Sequence, residues 1–184
     1  MHAVAERLSQ EMLFEAAVER HGGRLLTVAR GIVGSRYSPE DIVQQALTNL
    51  YEHRARYNWE DPGPLMRRAV VNEALRTLRH RQPVALSGDL AGRSSSALGG
   101  LIASETVQQV RSAIERLPHH YRAALVLCEY EKLPYAEIAI ALDATIPQIK
   151  TWLHRARRQL TRMLHHIFDP NEGSAPLCEH RLAS

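Results

Sequence analysis

The sequence predicts an all-α fold in which two small helical domains are joined by a flexible linker. Three observations predict it. Apolar residues recur at helical spacing on both sides of the chain's middle. Between them, from Gln82 to Ala103, Pro83, Gly88, Gly92, Ser94, Ser95, Ser96, Gly99 and Gly100 crowd a stretch with little periodicity and little to bury. The segment from Tyr135 to Phe168 reads as a short helix, a tight turn and a longer helix with one basic face. The division expected is a first domain over 9–82, a linker over 83–103, a second domain over 104–168 and a tail over 169–184.

In the first domain, one stripe runs through Met12, Leu13, Ala16 and Ala17. A second runs through Leu25, Val28, Ala29, Ile32 and Val33, and Gly22 and Gly23 interrupt the pattern between them. Two packed helices are expected. The next helix has a written start: Ser38 as cap, Pro39 at the first helical position, and an acid at Asp41 three residues on. It directs Ile42, Val43, Ala46, Leu47, Leu50 and Tyr51 inward and leaves Asp41, Gln45, Thr48 and Glu52 as an uncharged-to-acidic outer strip that either docks a basic partner or is simply solvated. After a loop from Tyr57 to Gly63, a last helix places Met66, Val70, Val71, Ala74, Leu75 and Leu78 inward. Its other side carries Arg68, Asn72, Arg76 and Arg79 at spacings of four, four and three, a basic ridge suited to a polyanion. Trp59 and Tyr57 in the adjoining loop either offer faces to an unstacked base or pack onto the core.

In the second domain, Tyr135, Ile138, Ala139 and Leu142 form the stripe of a short helix. Asp143 stands in the turn, where glycine is the usual residue. Thr145 and Gln148 have the T-x-x-Q spacing in which each side chain satisfies an orphan amide of the other, so a helix begins there. Ile149, Trp152, Leu153, Ala156, Leu160, Met163, Leu164 and Ile167 follow at helical spacing. The outward face carries Lys150, Arg155, Arg157, Arg158 and Arg162, and no Asp or Glu occurs from Ala144 to Phe168. That is helix-turn-helix grammar, in which the second helix enters the major groove and the first braces it.

The chain's net charge of +3 over 184 residues makes its basicity local, so polyanion binding is expected from patches. Cys128 and Cys178 are too few for a disulfide framework or a paired-cysteine metal site, and a reducing cytoplasm is the expected location. No apolar run is long enough to span a membrane, and no leader pattern opens the chain. No Gly-rich phosphate loop or nucleophile–base motif suggests catalysis, and no cofactor is expected. His165, His166, Cys178 and His180 are the residues that tempt a metal reading. Adjacent histidines on a helix point in different directions, and the other two lie in the tail.

The motifs together resemble a known family. Ser38-Pro-Glu-Asp-Ile-Val-Gln-Gln-Ala-Leu-Thr-Asn-Leu-Tyr51 resembles the region 2 signature of extracytoplasmic-function sigma factors, small members of the sigma-70 superfamily. Leu117-Pro-His-His-Tyr-Arg-Ala-Ala-Leu125, Leu133-Pro-Tyr-Ala-Glu-Ile-Ala139 and Ile149-Lys-Thr-Trp-Leu-His-Arg-Ala-Arg-Arg-Gln-Leu160 resemble region 4, so the resemblance spans Met12 to Leu164. It implies a non-enzymatic initiation subunit whose partners are core RNA polymerase, promoter DNA and, in many members, an anti-sigma factor. Carried over by position, Asp41, Gln44 and Gln45 would face the polymerase, and Arg68, Asn72, Arg76 and Arg79 the minus-10 DNA. Lys150, Thr151, His154 and Arg155 would read the minus-35 groove, with Arg157, Arg158 and Arg162 on phosphates. Trp152 stands where the family usually has arginine, Pro147 and Asp143 replace common glycines, and Pro64, Leu65 and Met66 occupy a stretch that is usually aromatic-rich.

Two rival readings remain. A stand-alone helix-turn-helix regulator that does not bind core polymerase accounts for the second domain, but not for the first or for the asymmetric two-module layout. An interaction module that has lost DNA binding would keep the helices and is suggested by the Trp152 and Leu65 departures.

Overall fold

The computed structural model describes residues 2–80 and 101–165, with side chains described from 10 to 80 and from 106 to 165. Every element among the described residues is helical: α1 (His2–Val33), α2 (Pro39–Glu52), α3 (Pro62–His80), α4 (Leu101–Glu115), α5 (His119–Leu125), α6 (Tyr135–Leu142) and α7 (Ile146–Leu164). The expected linker lies mostly outside the described residues, and the tail wholly so.

In the first lobe α1, α2 and α3 pack on one another. The expectation of two helices before Ser38 is corrected, since α1 runs unbroken through Gly22 and Gly23. Two glycines weaken a helix by roughly 1 kcal/mol each, and packing against α2 and α3 outweighs that. The first apolar stripe is also shifted. Met12 and Leu13 are 70% and 48% exposed and Ala16 is exposed too; Ala17 is buried as expected, and Phe14 turns inward beside it. Phe14 anchors an aromatic cluster, meeting the Tyr51 and Trp59 rings edge-on at 5.3 Å each.

Helix α2 starts as expected. The Ser38 hydroxyl oxygen accepts from the Asp41 backbone N–H at 3.1 Å, with Pro39 in the first turn. Ile42, Val43, Ala46 and Leu50 are buried, while Leu47 and Tyr51 are half-buried. Helix α3 buries Met66, Val70, Val71, Ala74, Leu75 and Leu78, as its periodicity required.

In the second lobe α5 continues into a π-helical stretch, Val126–Tyr130, where the Glu131 N–H reaches back five residues to the Val126 carbonyl. Helix α6 ends at Asp143, held left-handed at φ 50°, and the Ala144 N–H closes the turn on the Ala139 carbonyl at 2.9 Å. Aspartate fills the place where glycine is usual and takes the same conformation.

The lobes are not held apart. Helix α3 packs on α5 and α6, α1 packs on α5 and its π-helical extension, and one apolar core runs from Phe14 to Ala156. The two helical domains expected are present, and they dock face to face. A sequence stripe shows that a face is buried, but not whether its cover lies in the same module.

Candidate nucleic-acid interface

The recognition helix α7 is placed by its own start. The Thr145 N–H donates to Gln148 Oε1 at 2.7 Å and the Gln148 N–H donates to Thr145 Oγ1 at 3.4 Å, the reciprocal box its spacing predicted. Ile149, Leu153, Ala156 and Leu164 anchor the helix in the core. Lys150, Thr151, His154, Arg155, Arg158 and Arg162 lie on its exposed side. Arg155, Arg158, Gln159 and Arg162 line an open hollow there, three guanidinium groups along one ridge, which suits an anionic backbone. Arg155 donates to the Tyr121 hydroxyl at 3.2 Å, which steadies that side chain at the surface.

Arg157 departs from the expected outward set. It turns back across the lobe and donates to Glu129 Oε1 at 2.7 Å, with its side chain 33% exposed. One residue beyond buried Ala156, it sits on the flank of the helix and not at its crest. Trp152, expected in the buried stripe, is half-buried and stacks on His120 at 5.1 Å.

On α3, Arg68, Asn72, Arg76 and Arg79 share the exposed face predicted for them. Their charge is not uniform along the ridge. Arg76 forks onto Glu73, with Nε to Oε2 at 2.9 Å and Nη2 to Oε1 at 2.8 Å, and this buried carboxylate offsets much of its charge. Arg79 Nε donates to the Leu75 carbonyl at 3.3 Å. Of the two loop aromatics, Trp59 is only 6% exposed and donates through Nε1 to the Arg54 carbonyl at 3.0 Å. Packing is therefore its role. Tyr57 is half-buried and meets Trp59 edge-on.

Asp41, Gln44 and Gln45 are exposed together on α2, and the Gln45 amide donates to Asn49 Oδ1 at 3.2 Å. Sequence reasoning missed Arg67, Arg122 and Glu131. Arg122 and Glu131 are buried, the Arg67 side chain is 16% exposed, and each makes polar contacts across the two lobes. Their partners in the other lobe lie far away in the chain, so spacing carried no signal. Among the described residues no cluster of His, Cys, Asp and Glu is suited to a metal ion, and no helix is long and apolar enough to cross a membrane. Of the histidines and cysteine considered for a metal, only His165 is described, and it is exposed.

Two helical lobes, the second a capped helix-turn-helix with an outward cationic face, define a DNA-binding protein of modular type. Comparison with known proteins narrows the class. The Sigma-70 region 2 family matches residues 17–84, and the Sigma-70, region 4 family matches residues 107–160. The chain is 26% identical over 156 residues to the ECF RNA polymerase sigma factor SigE of Mycolicibacterium smegmatis, covering 80% of this chain and 60% of that one. It is 29% identical over 150 residues to the ECF RNA polymerase sigma-E factor of Escherichia coli, covering 68% and 75%. The fold is similar to that of the sigma factor RpoE from Bartonella quintana, solved with the anti-sigma factor NepR. That match has a TM-score of 0.65 at 19% identity, covering 83% of this chain and 96% of the other. The chain belongs to the sigma-70 family and is a sigma factor of the extracytoplasmic-function type.

Proposed function

We propose that this sigma factor binds core RNA polymerase, brings it to specific promoters and assists their melting, acting in the cytoplasm and catalysing no reaction itself. The observation that carries the reading is the capped, outward-facing cationic helix α7 in a chain that also has a region 2 lobe. A stand-alone regulator has no use for that lobe.

Each face takes one task. Asp41, Gln44 and Gln45, exposed on α2, meet the polymerase. Lys150, Thr151, His154 and Arg155 read minus-35 base edges, where each well-formed bidentate pair contributes about 1–3 kcal/mol of discrimination. Arg158 and Arg162 hold phosphates and set the register of the helix. Arg157 supports α7 from behind through Glu129. The ridge Arg68, Asn72, Arg76 and Arg79 faces the minus-10 DNA, where opening a base step costs a few kcal/mol that contacts to the displaced bases offset. The domain division at 9–82, 83–103, 104–168 and 169–184 follows the same assignment. Because RpoE from Bartonella quintana was solved with an anti-sigma factor, a protein of that class is the expected antagonist here.

The test is run-off transcription from genomic fragments with core polymerase, alongside measurement of core affinity. Asp41→Ala with Gln44→Ala should weaken core binding and leave DNA binding by α7 intact. DNA binding with no polymerase binding by the unmodified chain would favour the stand-alone regulator instead.

A further inference from the structure

Two contacts join α5 to α7, and they fall on neighbouring residues of α5. The His120 ring stacks on Trp152 at 5.1 Å with the planes 30° apart, and the Tyr121 hydroxyl accepts from Arg155 Nη1 at 3.2 Å. Trp152 and Arg155 are one helical turn apart, so both contacts lie on the same side of α7. The stack fixes how α7 is rotated about its axis, and the hydrogen bond fixes a side chain assigned above to base reading.

Helix α5 gives both contacts a firm support. Arg122, the residue after Tyr121, is 5% exposed. Its guanidinium donates to the Ile32 carbonyl at 2.8 Å, to the Leu117 carbonyl at 3.2 Å and to the Glu115 carbonyl. Ile32 and Glu115 lie in the last turns of α1 and α4, where helix carbonyls lack partners, so one side chain closes the ends of two helices at the seam where the lobes meet. Tyr121 itself is half-buried and packs against the core. Its ring has little rotamer freedom, whereas an exposed arginine has much to lose when it is ordered.

The bond also selects what Arg155 has left to offer. With Nη1 engaged, the Nε–Nη2 edge keeps two parallel N–H groups free. That edge matches the paired O6 and N7 acceptors of guanine in the major groove, whereas adenine sets an amino donor beside its N7. An untethered guanidinium divides its time among bases, phosphates and water. One already held in place loses less freedom on meeting its base and reaches fewer alternatives.

We infer that Tyr121, outside the reading helix, is a specificity-determining residue: by holding Arg155 it commits that guanidinium to one guanine of the upstream promoter element. This rests on the sigma-factor reading above. Tyr121 acts through Arg155 and is a positioning residue with no base of its own. Trp152 serves the same end, since its ring ties α7 to α5 one turn before Arg155.

The test uses the full chain with core polymerase on a promoter found by mapping its transcript starts. Each base pair of the upstream element is replaced in turn, and run-off transcription is measured at sub-saturating holoenzyme. With the parent, one guanine should stand out whose replacement costs about tenfold, and Arg155→Ala should abolish that preference. Tyr121→Phe, which keeps the ring and removes the hydroxyl, should reduce the preference for that guanine by about three- to tenfold and leave those at other positions within about twofold. Preferences are ratios within one protein, so a smaller folded fraction does not move them. The salt dependence of promoter binding should not change, because no cation is lost. In an Arg155→Lys background, which keeps the charge without the fork, Tyr121→Phe should have no further effect. Equal guanine preference in the parent and Tyr121→Phe proteins, a fall shared by every base pair, or no guanine that depends on Arg155 would each overturn the assignment while the sigma-factor reading stands. A parent holoenzyme that starts transcription at no promoter would sink that reading, and the role of Tyr121 with it.

Discussion

The Arg122 guanidinium donates to the Ile32 carbonyl at 2.8 Å, joining residues 90 apart in sequence and tying the second lobe to the last turn of α1. Burial pushes its pKa below the usual arginine value, with the Glu115 carboxylate opposing that shift, but an arginine keeps its charge in any ordinary buffer. The contact is thus a charged hydrogen bond made away from water, and such bonds are costly to break.

Arg122→Met should therefore destabilise the protein by about 2–4 kcal/mol, because it strands helix-end carbonyls inside the seam. Arg122→Lys should recover only part of the loss, since a single ammonium cannot serve three carbonyls in a planar fork. Urea denaturation of the three proteins measures both, and a Met variant within 0.5 kcal/mol or so of the parent would contradict the assigned role.

Gly22 and Gly23 lie in mid-helix, and a Cβ at either would meet nothing within 4 Å. Gly22→Ala and Gly23→Ala should each stabilise the chain by about 0.5–1 kcal/mol through the lower entropy of the unfolded state. The same change at Gly31 should not, because Val126 stands 3.0 Å away. Thermal midpoints of the three variants separate open helix from closed seam.

The α7 arginines should divide by salt dependence. Arg158→Ala should lower the slope of log affinity against log salt by about one for minus-35 DNA. Lys150→Ala with Arg155→Ala should weaken promoter use mainly through the upstream element. Arg157→Ala, which removes the 2.7 Å tie to Glu129, should leave the slope unchanged and reduce stability by less than about 1 kcal/mol. A salt slope that fell with Arg157→Ala would return that residue to the DNA face.

Burial lowers the pKa of His119 from 6.5, with Arg122, His120 and Arg36 adding to the effect. Burial likewise lowers His120, with Arg79 adding to it. Protons are then taken up by the unfolded chain first, so stability is full above 6.5 and declines as pH falls from there through the folded values. Urea midpoints near pH 7.5 and near pH 5.5 should differ, and His119→Asn with His120→Gln should flatten the difference. Equal midpoints in the parent would remove this account of the His120–Trp152 stack.

Much of the architecture was legible because its signals are local. The Ser38 and Thr145 caps, the inward stripe of α3 and the exposed side of α7 all rest on partners within one or two helical turns. Less legible was anything that balanced a local rule against packing. Gly22 and Gly23 read as a break, yet α1 passes through them because α2 and α3 support it. Trp59 had two readings of equal standing until the edge of Phe14 and the Arg54 carbonyl were in place around it.

By itself the sequence determined where α2 and α7 begin, which face of α3 is apolar and that α7 carries a basic stripe. Three- and four-residue spacings encode those properties directly. Tertiary structure alone decided which charged groups serve the fold. Arg157 turns to Glu129, Arg67 and Arg24 meet Glu131, and Arg122 closes two helices at once. Apart from the Arg122 bond to Glu115, those pairings join residues 28 to 107 positions apart, and a buried charge finds such a partner only when the chain brings distant segments together and removes the water between them.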